Sequence, residues 1–315
     1  MHRYIIKRLL YLIPILIGVT FIVFAIMHFS PGDPATLLLG EDTTQEEIER
    51  VREIMGLNDP FIVQYGNFLG GLARGNLGRS LQSGRPVVEE IGARLPATMQ
   101  LAGGAILVAV VIGLVMGILA ATKQYSIFDG GSMGFALLGA SMPNFWLGLM
   151  MILLFSVYWN NNFGYPLFPS SGYGTLRHLV MPAIVLGTAH AAYITRITRS
   201  SMLEVLRQDY IRTSRAKGMS ERKVVYYHAL WNALIPVITI TGLQFGVLLG
   251  GSVVTETIFA WPGIGRMLIQ GIRTQNYPIV QGTILVFALM FSLITLLVDI
   301  LYGFIDPRIK AKYKS

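Results

Sequence analysis

The chain has 315 residues, 53% of them hydrophobic and 13% charged, where soluble domains carry about 25% charged residues. With a mean hydropathy of +0.57 this is the composition of a chain that crosses a membrane several times. The formal charge of +8 fits a positive-inside bias rather than a nucleic-acid partner, and the absence of cysteine excludes disulfides, thiolate nucleophiles and cysteine metal sites.

Six stretches are apolar over the roughly 20 residues that a span needs. Residues 9–29 carry no charge; their apolar run is longer than a signal-peptide core and no A-x-A site follows, so a retained helix is expected. Residues 30–97 are long and mixed. Thr44 with Glu47 three residues on has the form of a capping box, and the segment reads as a small extracytoplasmic cap. Spans are expected at 98–121 and 134–158. The turn-rich loop 160–178 follows, then a shorter span at 179–195, and two more at 233–254 and 279–298. Residues 255–278 hold the segment "WPGIG". The expected fold is an all-α polytopic membrane protein with six transmembrane helices.

Lysine and arginine counts set the orientation. With the N-terminus inside, the inner segments hold 3, 1, 8 and 4 such residues and the outer ones 6, 1 and 2. Six of the outer nine lie in the long segment 30–97, which also carries ten acids. Both termini, and the basic loop 199–232, are therefore expected in the cytoplasm of a cell that keeps this chain in its inner membrane.

Several chemistries lack their residues. There is no GxxxxGK[ST] motif to cradle ATP and no HExxH, and the five histidines are scattered. No serine stands in a convincing constellation with histidine and aspartate, so an intramembrane enzyme is the weaker alternative, beside a membrane scaffold. No cofactor is expected in the chain itself.

The stretch "RQDYIRTSRAKGMSERKVV", 207–225, is the most basic in the protein. Residues 201–217 are expected as a helix, Gly218 as its left-handed stop, and Ser220 as the N-cap of a second helix begun by Glu221. Pro236 should kink the span that follows. Such charges suffice to set topology and bind anionic lipid. Yet small residues between basic ones also suit a close-fitting dock on an acidic partner. The residues alone leave both readings open.

The run "YIRTSRAKG" followed by "HALWNALIP" resembles the cytoplasmic coupling loop of ABC transporter permeases, most of all the dipeptide, oligopeptide and nickel branch. "FSPGDPATLLLG", "GLNDPFIVQYGNFLGGLARGNLGRSL", "SMPNFWLGL", "ETIFAWPGIGRMLIQGI" and "LLVDILYGFIDPRI" resemble that family's segments in order, over nearly the whole chain. Arg212-Thr213-Ser214 stands where the general family has Glu-Ala-Ala, Gly218 matches its glycine, and Pro236 lies farther on than usual.

The resemblance implies a type I importer permease of the first-subunit kind. It would form half of a pathway for di- or oligopeptides, or alternatively nickel chelate, glutathione or oligosaccharide. The implied organisation is residues 1–29 as N-terminus and first span, 30–97 as extracytoplasmic segment, 98–308 as permease core and 309–315 as cytoplasmic tail. The implied partners are a homologous second permease, two cytoplasmic ATPases that bind ATP and magnesium, and an extracytoplasmic solute-binding protein. Coupling to the ATPases falls on Arg212, Thr213, Ser214, Arg215, Ala216, Lys217 and Gly218.

Polar residues within spans are candidates for the pathway: Asn144, Thr188, His190, Thr241, Gln244 and, beyond the fifth span, Glu256. The five within spans have interhelical hydrogen bonding as their plainer reading, whereas the resemblance implies that the segment following Glu256, "IFAWPGIG", shapes an external gate. Asp299 is expected in a structural ion pair with a loop arginine. Gly113 and Gly117, and Gly242, Gly246 and Gly250, recur every four residues and are expected at close helix crossings.

Overall fold

The structure is a computed structural model that describes residues 2–30, 32–39 and 43–305. The expected tail 309–315 lies outside the described residues. Among those described, five helices are long and apolar enough to cross a membrane. They lie within α1 (His2–Phe29), α5 (Val87–Thr122), α9 (Leu176–Leu206), the continuous helix from α11 (Glu221–Lys223) to α12 (Leu230–Ile258), and α14 (Tyr277–Ile305). Pro14, Pro96, Pro182 and Pro236 lie inside these helices, which run on through them. In lipid an interrupted helix has no water to turn to, so the backbone stays helical around a proline.

The span expected at 134–158 is sharply bent. A sixth crossing exists only as a bent pair, α6 (Ile127–Ser141) and the segment that starts with α7 (Asn144–Met151), at 100° to each other. Pro143 explains the break: its ring disfavours the helical region for the residue before it, and Met142 sits at φ −77°, ψ 124°. After α7 the chain makes a π-helical stretch, Ile152–Tyr158, and ends in α8 (Trp159–Phe163) at Gly164.

At the centre, α5 packs along α9. A methyl group at Gly113 would lie 2.5 Å from Ile194 Cγ2, and one at Gly117 2.5 Å from Thr198 Cβ. The two glycines therefore set how near the helix axes approach. Gly242 and Gly246 do the same for α12 against Val298 and Phe291 of α14, whereas Gly250 faces open space and is no crossing point. Leu101, Leu186, Leu248, Leu249 and Trp261 form the central buried cluster.

The two ends of the bundle differ. One end, called here the cap end, carries α2 (Pro34–Leu39), α3 (Gln45–Ile54), α4 (Phe61–Ala73) and α13 (Ile264–Arg273). The Glu47 carboxylate accepts from the Thr44 hydroxyl at 3.0 Å and from its N–H at 3.4 Å, as the sequence pattern predicts. Helix α4 lays Phe61, Tyr65 and Phe68 on Phe21 and Phe24 of α1, and the Tyr65 hydroxyl donates to the Ile17 carbonyl at 3.0 Å. Helix α1 packs chiefly on α14, leaving Ile13, Ile22 and Ile26 exposed as a membrane-facing side. Asp299 of α14 pairs with Arg8 of α1 at 2.9 Å. An ion pair is present as expected, but its cation comes from the first helix and not from a loop.

Candidate functional site: an exposed elbow and a polar seam

The opposite end, the elbow end, is dominated by α10 (Asp209–Ala216). The expected continuous helix over 201–217 is broken at Arg207 and Gln208, and Gln208 takes an extended N-cap conformation, ψ 150°. The stop at Gly218 is present. With φ at 76°, its N–H donates to the Arg215 carbonyl at 2.9 Å and the Met219 N–H to the Ser214 carbonyl at 3.4 Å, the two bonds of a Schellman motif. Ser220 stands at the next N-cap with extended backbone, although its hydroxyl makes no capping bond.

Two contacts make this elbow stiff. Ile211, fully buried, enters a cluster with Met202, Val224, Val225, Ala229 and Ala233, and so joins α10 to α9 and to the helix that becomes α12. Across the turn the Arg215 guanidinium grips Glu221 with two bonds, Nε–Oε1 2.7 Å and Nη2–Oε2 3.2 Å. Thr213 and Ser214 return their hydroxyls to the carbonyls of Asp209 and Tyr210. Arg212, Thr213, Arg215, Ala216, Lys217 and Gly218 are exposed and Ser214 is half-buried. All seven coupling candidates thus lie on one short helix and its stop. Arg215 is already engaged as a brace, while Lys217 is exposed at the C-cap.

Beside the elbow lies a pair that sequence reasoning missed. Asp129, in the first turn of α6, accepts from Arg199 of α9 in a fork, Nε–Oδ1 2.7 Å and Nη2–Oδ2 2.8 Å, and from the Tyr125 N–H at 3.0 Å. The carboxylate is nearly buried. This clasp ties one arm of the bent pair to the helix that leads into α10.

Of the pathway candidates, His190 and Gln244 meet, with Nδ1 and Oε1 2.7 Å apart, and join α9 to α12. Thr188 donates to the Ile184 carbonyl and fills the space over Gly139. Thr241 faces a gap between α12 and α14, and Asn144 opens α7 behind Pro143. Glu256 differs from these because it has no exposed surface. Its carboxylate accepts from Thr98 Oγ1 at 2.7 Å, Ser252 Oγ at 3.1 Å and the Arg266 N–H at 2.9 Å. Gly263 and Gly265 let the chain close over it, and Trp261 donates to the Ala97 carbonyl at 2.8 Å. In this conformation Glu256 organises the α12–α13 turn and lines no open space.

Comparison with known proteins matches this architecture. Residues 113–311 match the family described as "Binding-protein-dependent transport system inner membrane component", and residues 1–102 match the membrane component's N-terminal family. The "Dipeptide transport system permease protein DppB" of Alkalihalophilus pseudofirmus is 48% identical, aligned over 98% of this chain and 100% of its own. Its Escherichia coli counterpart is 44% identical over 99% and 100%. The "Di/tripeptide transport system permease protein DppB" of Pseudomonas aeruginosa is 46% identical over 98% and 99%. Among solved structures, the MetNI methionine ABC transporter in an inward-facing form is similar with a TM-score of 0.54 and 19% identity, over 70% of this chain and 97% of that one. An amino acid ABC transporter follows at 0.51 and 16%, over 70% and 94%. The fold is therefore that of type I ABC importer permeases, and the chain belongs to the binding-protein-dependent transport system inner membrane component family.

Proposed function

We propose that this multi-pass membrane protein is the first permease subunit of an ATP-driven importer of di- or oligopeptides, and that α10 is its coupling helix. The carrying observation is the construction of the elbow: a short exposed basic helix, stiffly stopped at Gly218 and anchored by buried Ile211 to both α9 and α12. The relatives named as dipeptide permeases support the solute class. The cap end then faces outward, with the elbow and both termini in the cytoplasm.

In this reading two cytoplasmic ATPases bind ATP and magnesium, and one receives α10 in a groove. A homologous permease supplies the other half of the pathway, and a solute-binding protein delivers peptide to the cap end. Closure of the ATPases displaces α10. Because Ile211 packs against Met202, the displacement passes into α9, and through the Asp129–Arg199 fork into α6. A bistable shift of rigid helices then opens the pathway to one side or the other. His190 and Gln244, with Asn144, Thr188 and Thr241, supply polar groups for a solute that carries many of its own, and Glu256 keeps the outer turn in shape.

The test is ATP-driven uptake of dialanine by the complete complex in proteoliposomes. Lys217→Glu should leave assembly intact and lower uptake at least about tenfold, by setting a like charge against an acidic groove. Uptake at the wild-type rate would remove α10 from the coupling role.

A further inference from the structure

At the cap end, apart from the pathway candidates, a cavity of about 420 Å³ opens between the 80–85 loop, the start of α5 and α13. Buried Met267 and Ile279 form an apolar floor. Asn276, also buried, fixes one wall: its amide nitrogen donates to Ser80 Oγ at 2.9 Å and its oxygen accepts from the Leu81 N–H at 3.2 Å. Next to it Gln275 is held at φ 48°, an unfavourable conformation for a non-glycine residue, so the surrounding contacts over-determine this turn.

The rim has the opposite character. Arg94 is satisfied by Glu90 at 3.0 Å. The Arg85 guanidinium and the Glu89 carboxylate, one of each sign, have no hydrogen-bond or ion-pair partner among the described residues. Gln270 also lines the cavity, and its side-chain amide makes no hydrogen bond among the described residues. A rigid cavity with an apolar floor, a free cation, a free anion and an amide is complementary to a short zwitterionic peptide. The ammonium end suits Glu89, the carboxylate end suits Arg85, the peptide unit suits the amide, and a side chain suits Met267 and Ile279. The volume falls in the range of small-molecule pockets.

We propose that this cavity is an entry site for zwitterionic dipeptides on the outer face of the permease, distinct from the His190–Gln244 seam. The inference rests on the peptide-import reading above and adds to it where the solute first meets this chain.

The experiment uses the complete permease–ATPase complex in nanodiscs without solute-binding protein. Saturation-transfer NMR would measure binding of dialanine, N-acetyl-dialanine and dialanine amide. Dialanine should bind, and blocking either terminus should weaken binding about tenfold or more, the loss of one charge-assisted contact. Glu89→Gln should erase the penalty for N-acetylation alone and Arg85→Gln that for amidation alone, with assembly and ATP hydrolysis kept. Equal binding of free and blocked peptides, or wild-type discrimination in the doubly substituted complex, overturns the proposal. So does the absence of dialanine binding in a complex that imports dialanine when its binding protein is added, an outcome that leaves the peptide-import reading standing. Since the chain lacks cysteine, a single Gln82→Cys crosslinker gives an independent check. Dialanine should slow its labelling; efficient crosslinking to the binding protein with no effect of dialanine marks a docking face and contradicts an entry site.

Discussion

Asp129 and Asp33 are both held by an arginine, and their settings predict different behaviour. Asp129 is nearly buried and takes a two-pronged bond from Arg199, 70 residues away. Nothing local in the sequence marks such a pair, because neither residue belongs to a motif and each reads as a boundary charge. Asp129→Asn leaves the guanidinium with a poorer partner and should lower the unfolding free energy of the purified complex by about 2 kcal/mol, between the exposed and the fully buried limits. Substituting Arg199 in addition should cost less than the sum of the two, and a double-mutant thermal-unfolding cycle measures the difference. Asp33 lies in the cap, on the more exposed side. Burial opposes its ionisation, but the Ala35 N–H, the Thr36 hydroxyl and the Arg52 guanidinium outweigh burial and hold its pKa below the ordinary 3.8. A lowered folded pKa means that the carboxylate stabilises the cap fully above the unfolded value. That contribution disappears as pH falls through the folded one. Hydrogen-exchange protection of the α2 amides, relative to the intrinsic exchange rate at each pH, should therefore hold down to about pH 4 and fall below it. In Asp33→Asn protection should be low throughout, and a wild-type protection profile flat to about pH 2 would contradict the assignment.

At the scale of elements, start and stop signals made of one or two residues were legible. Thr44 with Glu47 begins α3, and Gly218 ends α10 in a left-handed turn. The Gly218 stop carries a direct prediction. Gly218→Val must adopt φ near 76° with a branched side chain, at a cost of about 1–2 kcal/mol. The elbow should loosen, with faster exchange across α10 and reduced uptake, while the spans persist; Gly218→Asn should retain most activity. Two breaks were not legible. The charge-free run 134–158 concealed the corner at Pro143, since hydropathy registers membrane depth and not direction. The good helix formers of 201–217 concealed the break at Gln208, which tertiary packing of Ile211 against Met202 imposes. Glycine spacing predicted close crossings for Gly113, Gly117, Gly242 and Gly246 but not the open surroundings of Gly250. Spacing reports a shared face and not what stands opposite it.

For the molecule as a whole, apolar run lengths announced an all-α membrane bundle, and ordered motif resemblance announced its family. The ties between distant segments were hidden, because each depends on the packed bundle: Arg8 with Asp299, Thr98 with Glu256, Asn276 with Ser80. Together they describe two ends built for different work, a cap with a polar cavity and a stiff basic elbow, joined by helices that cross at glycines. An elbow of this kind makes sense only in an assembly. The most direct test is therefore to isolate the tagged chain from its native membranes in mild detergent and identify what accompanies it. The account predicts a homologous second permease with one or two P-loop ATPases, in fixed proportion. Reproducible recovery of the chain alone, under conditions in which other ABC complexes stay whole, would contradict it.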